Sequence, residues 1–291
     1  MAERPAHTLH GPPSLGLVYA RGALAAVPGL STVLRRSAAV PSRALRLRGV
    51  TINGEHLTAY QRLCGFTADD RLPHTYPHVL GFALQASIMA RRDFPVPMVG
   101  LVHLENTITV HRPLTVADVL TITVHAQLLA AHPKGRTVEL VTEVDTAGGR
   151  VWEGRSVYLS RGSDDSGAPR RGEPPAMPEG FPAAQWSLPA GLGREYAAVS
   201  GDVNPIHLNA LTAKAMGFPR QIAHGMWSYA RVLAALGRRA DGAVTSHVWF
   251  RRPILLPSTV DLVVDTKARP LVAGLRSTRT PEVGHLVLTI T

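Results

Sequence analysis

One cysteine, Cys64, stands among the 291 residues. A disulfide within the chain is therefore impossible, and a cysteine metal site is excluded. Lone-cysteine usage suits a reducing compartment, so a cytoplasmic protein is expected. Aromatic residues make up only 5% of the chain, too few for the stacking platforms that single-stranded nucleic acid requires. No uninterrupted apolar run reaches the roughly 18 residues of a membrane span. The opening MAERPAHTLHGPP has no apolar core like that of a secretion signal. Lysine is scarce as well: Lys134, Lys214 and Lys267 are the only ones, and the rest of the basic count is arginine, giving a net charge of +10. The arginines fall in scattered pairs (Arg35–Arg36, Arg91–Arg92, Arg170–Arg171, Arg238–Arg239, Arg251–Arg252) rather than in a compact basic motif. Three readings of this charge stand: an Arg-favouring base composition, an anionic substrate carrier such as coenzyme A or an acidic acyl carrier protein, and nucleic acid, which ranks last.

Against these absences, one stretch is dense in chemistry: YAAVSGDVNPIHLNALTAKAMGFPRQIAHGM, residues 196–226. Asp202 and His207 flank Asn204 and Pro205. Proline pushes the residue before it out of the helical region, so the pair is expected on an irregular loop. LNALTAKAMGF follows as a short helix, stopped by Gly217 and Pro219. QIAHGMWSYARVLAALG then reads as a longer helix, apolar nearly all round and hence buried. A carboxylate and an imidazole on one loop can together hold and deprotonate a water. Gly225, at the start of the buried helix, would let a carbonyl reach backbone N–H groups that have no intrahelical acceptor, where a developing negative oxygen is favoured. A thioester bound there could be enolised, with water added to or removed from the adjacent carbons. The plain alternative is that Asp and Asn are turn formers and His a core residue; for an isolated D-x-N-P-x-H that alternative is the commoner one.

The rest of the chain reads as a repeat. Residues 1–13 are expected to be disordered, and residues 14–37 to hold a helix broken near Pro28 and Gly29. Strands are expected at 44–52, 101–110, 119–126, 137–145 and 150–160, the last two joined across Gly148–Gly149. Helices are expected at 58–64 and 78–92. The Gly- and Pro-rich 161–182 is a linker. After it come a short strand at 185–188, the dense stretch, and strands at 244–250, 259–265, 271–277 and 285–291. Val110-His-Arg-Pro-Leu114 is matched by Phe250-Arg-Arg-Pro-Ile254, and Tyr60–Gly65 mirrors Tyr196–Gly201. These offsets imply two units of strand, helix and strands, an α+β arrangement. His103, His111 and His125 lie on or beside strands without carboxylates at ligand spacing and are taken as structural.

Tyr196, Ser200, Gly201, Asp202, Asn204, Pro205, Ile206, His207 and Ala213, followed by Ala223, His224, Gly225 and Met226, resemble the signature of the MaoC-like (R)-specific enoyl-thioester hydratases and dehydratases. The resemblance covers roughly residues 44–291 and implies a double hotdog. It implies an N-terminal extension at 1–43, a hotdog lacking the catalytic motif at 44–161, a linker at 162–184 and a catalytic hotdog at 185–291. It also implies Asp202 and His207 as the catalytic pair and the Gly225 N–H as oxyanion donor. Ser200, Asn204 and Pro205 would hold the loop, while His224 would either orient it or serve the helix start. No metal and no cofactor is implied, only an acyl group on coenzyme A or acyl carrier protein; a homodimer stays open. In the first half Phe66-Thr67-Ala68 stands where Asp202-Val203-Asn204 stands in the second. One active site per chain is expected, with His74 and His78 outside the chemistry and the first-half helix free either to pack the core or to admit an acyl tail. A hotdog thioesterase and a non-catalytic acyl-binding subunit are the rivals. The helix at Gly225 carries no acid for the first, and the intact Asp202 and His207 count against the second.

Overall fold

The computed structural model describes residues 4–24, 39–162 and 172–291. In chain order the elements are β1 (Ala6–Leu9), α1 (Leu15–Leu24), β2 (Ala44–Val50), α2 (Gly54–Cys64), α3 (Tyr76–Met89), β3 (Val102–Val110), β4 (Leu120–His132), β5 (Gly135–Thr146) and β6 (Gly149–Arg161). After them come β7 (Ala184–Leu188), α4 (Leu192–Ser200), α5 (Pro205–Leu208), α6 (Ala210–Ala215), α7 (Gly225–Leu236), β8 (Thr245–Phe250), β9 (Ser258–Asp265), β10 (Leu271–Ser277) and β11 (Gly284–Ile290). The helix break near Pro28 and residues 163–171 of the polar linker lie outside the described residues. No described helix is long and apolar enough to cross a membrane.

The chain forms two compact units: residues 1–52, 80–104 and 117–172, and residues 53–79, 105–116 and 173–291. In the first, the strands run in the order β1-β2-β4-β5-β6, antiparallel except for the β1–β2 pair. The α3 helix packs on this sheet. A Cβ at Gly81 would press on Thr142 and Ile122, so the missing side chain sets how closely helix and strands approach. Leu84 and Ile88 are wholly buried. Gln85 donates to Thr142 Oγ1 at 2.9 Å and accepts from Tyr158 Oη at 3.3 Å, so its buried amide finds partners on the strands beneath it. The start of the chain differs from expectation. Residues 6–9 form a strand rather than disorder, because Ala6–Leu9 pairs with Ala44–Leu47 and Arg4 reaches the Ala126 carbonyl at 3.0 Å. That ordering depends on partners about 40 and 120 residues away, which a local reading of the sequence does not reveal.

In the second unit, residues 105–109 of β3 pair with β8, and the order continues β8-β11-β10-β9-β7, all antiparallel. The α7 helix buries Met226, Trp227, Tyr229, Ala230, Val232, Leu233 and Leu236. Each large apolar side chain so buried contributes on the order of 1.5–3 kcal/mol. Helices α2 and α4 are the clearest repeat. Each ends in a glycine with left-handed backbone, Gly65 at φ 80° and Gly201 at φ 73°, a conformation that disfavours a Cβ. Tyr60 and Tyr196, five residues before these glycines, meet with ring centroids 6.3 Å apart.

Candidate active site

The site is assembled on the segment between α4 and α7. Gly201 turns the chain out of α4, and the Ser200 hydroxyl accepts the Asp202 N–H at 3.2 Å. The Asp202 carboxylate then accepts the Asn204 N–H at 3.2 Å, and the Asn204 side chain accepts the Ile206 N–H at 3.4 Å. These are turns closed by short polar side chains. Asp202 lies on irregular backbone as expected, but His207 does not. Pro205 is the first residue of α5, with Asn204 as its N-cap, and His207 sits inside that single turn. Proline disfavours helix only for the residue before it; at the first helical position its fixed φ and missing N–H are an advantage. The expected single helix over 208–218 is likewise divided, since Asn209 is extended and caps α6 by accepting the Thr212 N–H at 2.9 Å.

Several contacts bring α5 to the start of α7. Arg194 donates to the Leu208 carbonyl at 2.9 Å, and a Cβ at Gly193 would collide with the His207 carbonyl. The Ile222 N–H donates to the Ile206 carbonyl at 3.1 Å. As a result His207 and His224 stack, with ring centroids 3.6 Å apart and 26° between their planes. One ligand-type atom from each of Asp202, His207 and His224 lies within 4.8 Å of the other two.

The hydrogen bonds fix the tautomers. His207 Nδ1 lies 2.8 Å from the Ile222 carbonyl, which can only accept, so Nδ1 carries the proton. His224 Nε2 lies 2.9 Å from the Asp202 main-chain carbonyl and is protonated by the same reasoning. Burial, reinforced by the neighbouring His224, pushes His207 down to about 3 against the opposing pull of Asp202; burial lowers His224 in the same direction. Both rings are therefore neutral near pH 7. The 3.9 Å approach of His224 Nε2 to the Asp202 carboxylate is not an ion pair, and His207 Nε2 is left with an unprotonated, accepting lone pair. One water bonded to two partners at about 2.8 Å spans about 4.5 Å, within the 4.8 Å over which these groups gather. A metal ion would need both ring lone pairs to converge at about 2.0–2.1 Å. Lone pairs lie in the ring planes, and two stacked, nearly parallel rings do not converge in that way.

Gly225 opens α7 and is only half-buried, while Met226 beside it is buried. The first N–H groups of a helix have no intrahelical acceptor. A Cβ at Gly225 would stand 3.0–3.1 Å from the Phe250 ring. The proposed oxyanion residue is thus close in sequence and space to the stacked histidines.

Reading the sequence alone under-weights three residues here. His224 binds the Asp202 carbonyl and stacks on His207; the adjacent Gly225 was the available signal. His78, expected to lie outside the chemistry, is buried and near enough for the Asp202 charge to oppose the burial that pushes it down to about 4; nothing here assigns it a part in the reaction. Phe250 backs Gly225, and nothing in its local sequence indicates this.

A model of the MaoC like domain matches residues 191–282, and one of the FAS1-like dehydratase domain region matches residues 54–151. The 3-hydroxyacyl-thioester dehydratase X of Mycobacterium tuberculosis is 36% identical over 244 residues, covering 83% of this chain and 86% of that protein. The crystal structure of HtdX from the same organism superposes with a TM-score of 0.75 at 34% identity, over 85% of this chain and 99% of that one. Another M. tuberculosis protein, Rv0216, with a double hotdog fold, superposes at TM-score 0.51 and 16% identity over 83% of this chain and 92% of its own, a likeness of fold alone.

Proposed function

The chain belongs to the MaoC-like 3-hydroxyacyl-thioester dehydratases, with their α+β double hotdog fold, and from that premise we propose how its residues carry out reversible hydration of trans-2-enoyl thioesters to (R)-3-hydroxyacyl thioesters. The observation that carries the proposal is the cluster of Asp202, His207 and His224 beside the half-buried start of α7. A water held between the Asp202 carboxylate and His207 Nε2 would lose a proton to this pair as its oxygen bonds to C3 of the enoyl group. The double-bond electrons shift toward the thioester oxygen, whose growing charge the Gly225 N–H would receive. The proton returns to C2, and the C3–O and C2–H bonds replace the O–H and π bonds broken. Dehydration is the same path reversed. Ser200, Asn204 and Pro205 serve by holding the Asp202 carboxylate and the α5 turn in place. No metal or redox group enters this reading. The acyl group would arrive on coenzyme A or acyl carrier protein, carriers whose negative charge suits a chain of net charge +10. A reducing cytoplasm suits the free, buried Cys64.

The test is to incubate purified protein with trans-2-enoyl-CoAs of several chain lengths and follow the loss of conjugated enoyl absorbance. Absence of turnover at every length, on the free thioester and on acyl carrier protein alike, refutes the assignment.

A further inference from the structure

The catalytic loop is held from a part of the chain that lacks the catalytic motif. His56 lies in the first turn of α2, whose N-cap Asn53 accepts the His56 N–H at 3.0 Å. Its ring is half-buried and held at both nitrogens. Nε2 lies 2.8 Å from the Val199 carbonyl, and Nδ1 lies 2.7 Å from the Tyr76 hydroxyl. A carbonyl only accepts, so Nε2 carries the proton and Nδ1 accepts from Tyr76. Tyr76 is fully buried and its hydroxyl is pushed up to about 12, so it keeps the proton it donates.

Val199 is the last residue but one of α4. Its carbonyl is among the four at a helix C-terminus that no intrahelical N–H can reach. The next residue, Ser200, accepts the Asp202 N–H, so the His56 contact fixes the helix end from which the Asp202 loop departs. A second route leads from the same ring. His56 meets Tyr76 at 5.7 Å between centroids, Tyr76 meets Tyr60 at 5.2 Å, Tyr60 meets Tyr196 at 6.3 Å, Tyr196 meets His224 at 4.9 Å, and His224 stacks on His207. In a chain with only six tyrosines, three lie in this column. Each step falls within about 4.5–7 Å, the range of favourable ring pairs, apart from the closer histidine stack at its inner end.

We propose that His56 is a positioning residue for the hydration reaction: by binding the Val199 carbonyl and buttressing the ring column, it sets where Asp202 and His207 stand. The proposal rests on the functional reading above and deepens it. Both ring nitrogens of His56 are taken up by Tyr76 and Val199, so its loss acts on turnover through geometry, and a displacement of about 1 Å at reacting groups can reduce rates about a hundredfold.

Three variants test it: His56→Leu, which fills the space without hydrogen bonds; His56→Gln, whose amide can still donate to Val199; and Tyr76→Phe, which removes only the hydroxyl that His56 accepts. With a short trans-2-enoyl-CoA, H56L is expected to lower kcat at least tenfold with KM within about twofold. H56Q should recover most of that loss, and Y76F should lower kcat by a few-fold. Unchanged kcat in H56L overturns the proposal, as does an equal loss in H56L and H56Q that tracks a common fall in Tm. Should H56L fail to fold, Y76F decides, and wild-type kcat in that variant is the overturning result. The ring proton signals of His207, followed by NMR, separate this proposal from the assignment of the reaction. Inert wild-type protein refutes the reaction, whereas His207 signals that do not move between wild type and the His56 variants refute the positioning role on their own.

Discussion

Helices α2 and α4 end alike and lead to opposite outcomes. Each stops at a glycine with left-handed backbone, and each carries a tyrosine five residues earlier. Beyond Gly201 the chain places Asp202, tethered by Ser200 and itself capping Asn204. Beyond Gly65 it places Phe66, whose N–H returns to the Gln61 carbonyl at 2.8 Å and whose ring stacks on Tyr60 at 6.5 Å. The same turn exposes a carboxylate in one case and closes an apolar contact in the other. The starts of the two long helices differ in the same sense. Helix α7 begins with Gly225, which presents backbone N–H groups next to two histidines. Helix α3 begins with Tyr76, whose N–H is taken by the Pro73 carbonyl at 2.8 Å, followed by Pro77, which has no N–H to give. The helix–glycine scaffold is repeated, but the residues that occupy the two short turns differ, and only the second repeat carries the proposed pair.

The largest expected effect comes from breaking the active member of the pair. Asp202→Asn and His207→Ala should each lower kcat/KM by about 10²–10⁴. The double variant should be little worse than either single one, because groups that share one water act as a unit. Initial rates on an enoyl-CoA measure this, and near-normal rates in both folded singles would exclude the pair. Placing the carboxylate on the other repeat sharpens the comparison. Phe66→Asp in the Asp202→Asn background should stay inactive, since the first two residues of α3 offer no free N–H, that of Tyr76 being bonded to Pro73 and Pro77 having none; recovered turnover would show that the two helix starts are equivalent.

A smaller loss should follow at the oxyanion. Gly225→Val is expected to reduce kcat by about 10²–10³, because its side chain must enter space bounded by the Phe250 ring at 3.0 Å. Gly225→Ala should lose less, and Phe250→Leu should relieve part of the alanine effect. Unchanged kinetics in the valine variant would place the carbonyl elsewhere.

Much of the fold is legible in the sequence. Alternating strands, the apolar α7 and the matched Tyr–Gly segments mark the double α+β repeat, because period and punctuation are local properties of a sequence. Asp202, His207 and Gly225 are legible as candidates because they lie within 24 residues of one another in a patterned string. What stayed hidden depends on distant partners. The β1 strand needs β2 and Ala126. His56 acquires meaning only through Val199, 143 residues away. Phe250 matters because β8 ends against Gly225. The 205–215 segment differs for another reason: Pro205 stands at the first helical position, which favours it, and the extended Asn209 separates α5 from α6.

The final prediction concerns pH, where buried histidines distinguish stability from rate. Burial lowers His207 to about 3 and His74 and His78 to about 4, from 6.5. As pH falls below about 6.5 the unfolded chain takes up these protons first, so stability declines toward the folded values and is greatest above 6.5. Between pH 6.5 and 5 each such residue removes on the order of 2 kcal/mol, a large share of a typical folding free energy. Urea unfolding should therefore show a marked fall in midpoint from pH 7.5 to 5.5, and His78→Gln should reduce that fall; equal midpoints would mean that these rings take up protons in the folded state. Turnover should behave differently. His207 Nε2 stays unprotonated down to about pH 3, so wherever the protein is folded between pH 5.5 and 8 its titration should change kcat/KM less than twofold. An inflection near 6.5, the ordinary value for an exposed imidazole, would show that His207 is solvated during catalysis and that the stacked, carbonyl-bound ring is not the working base.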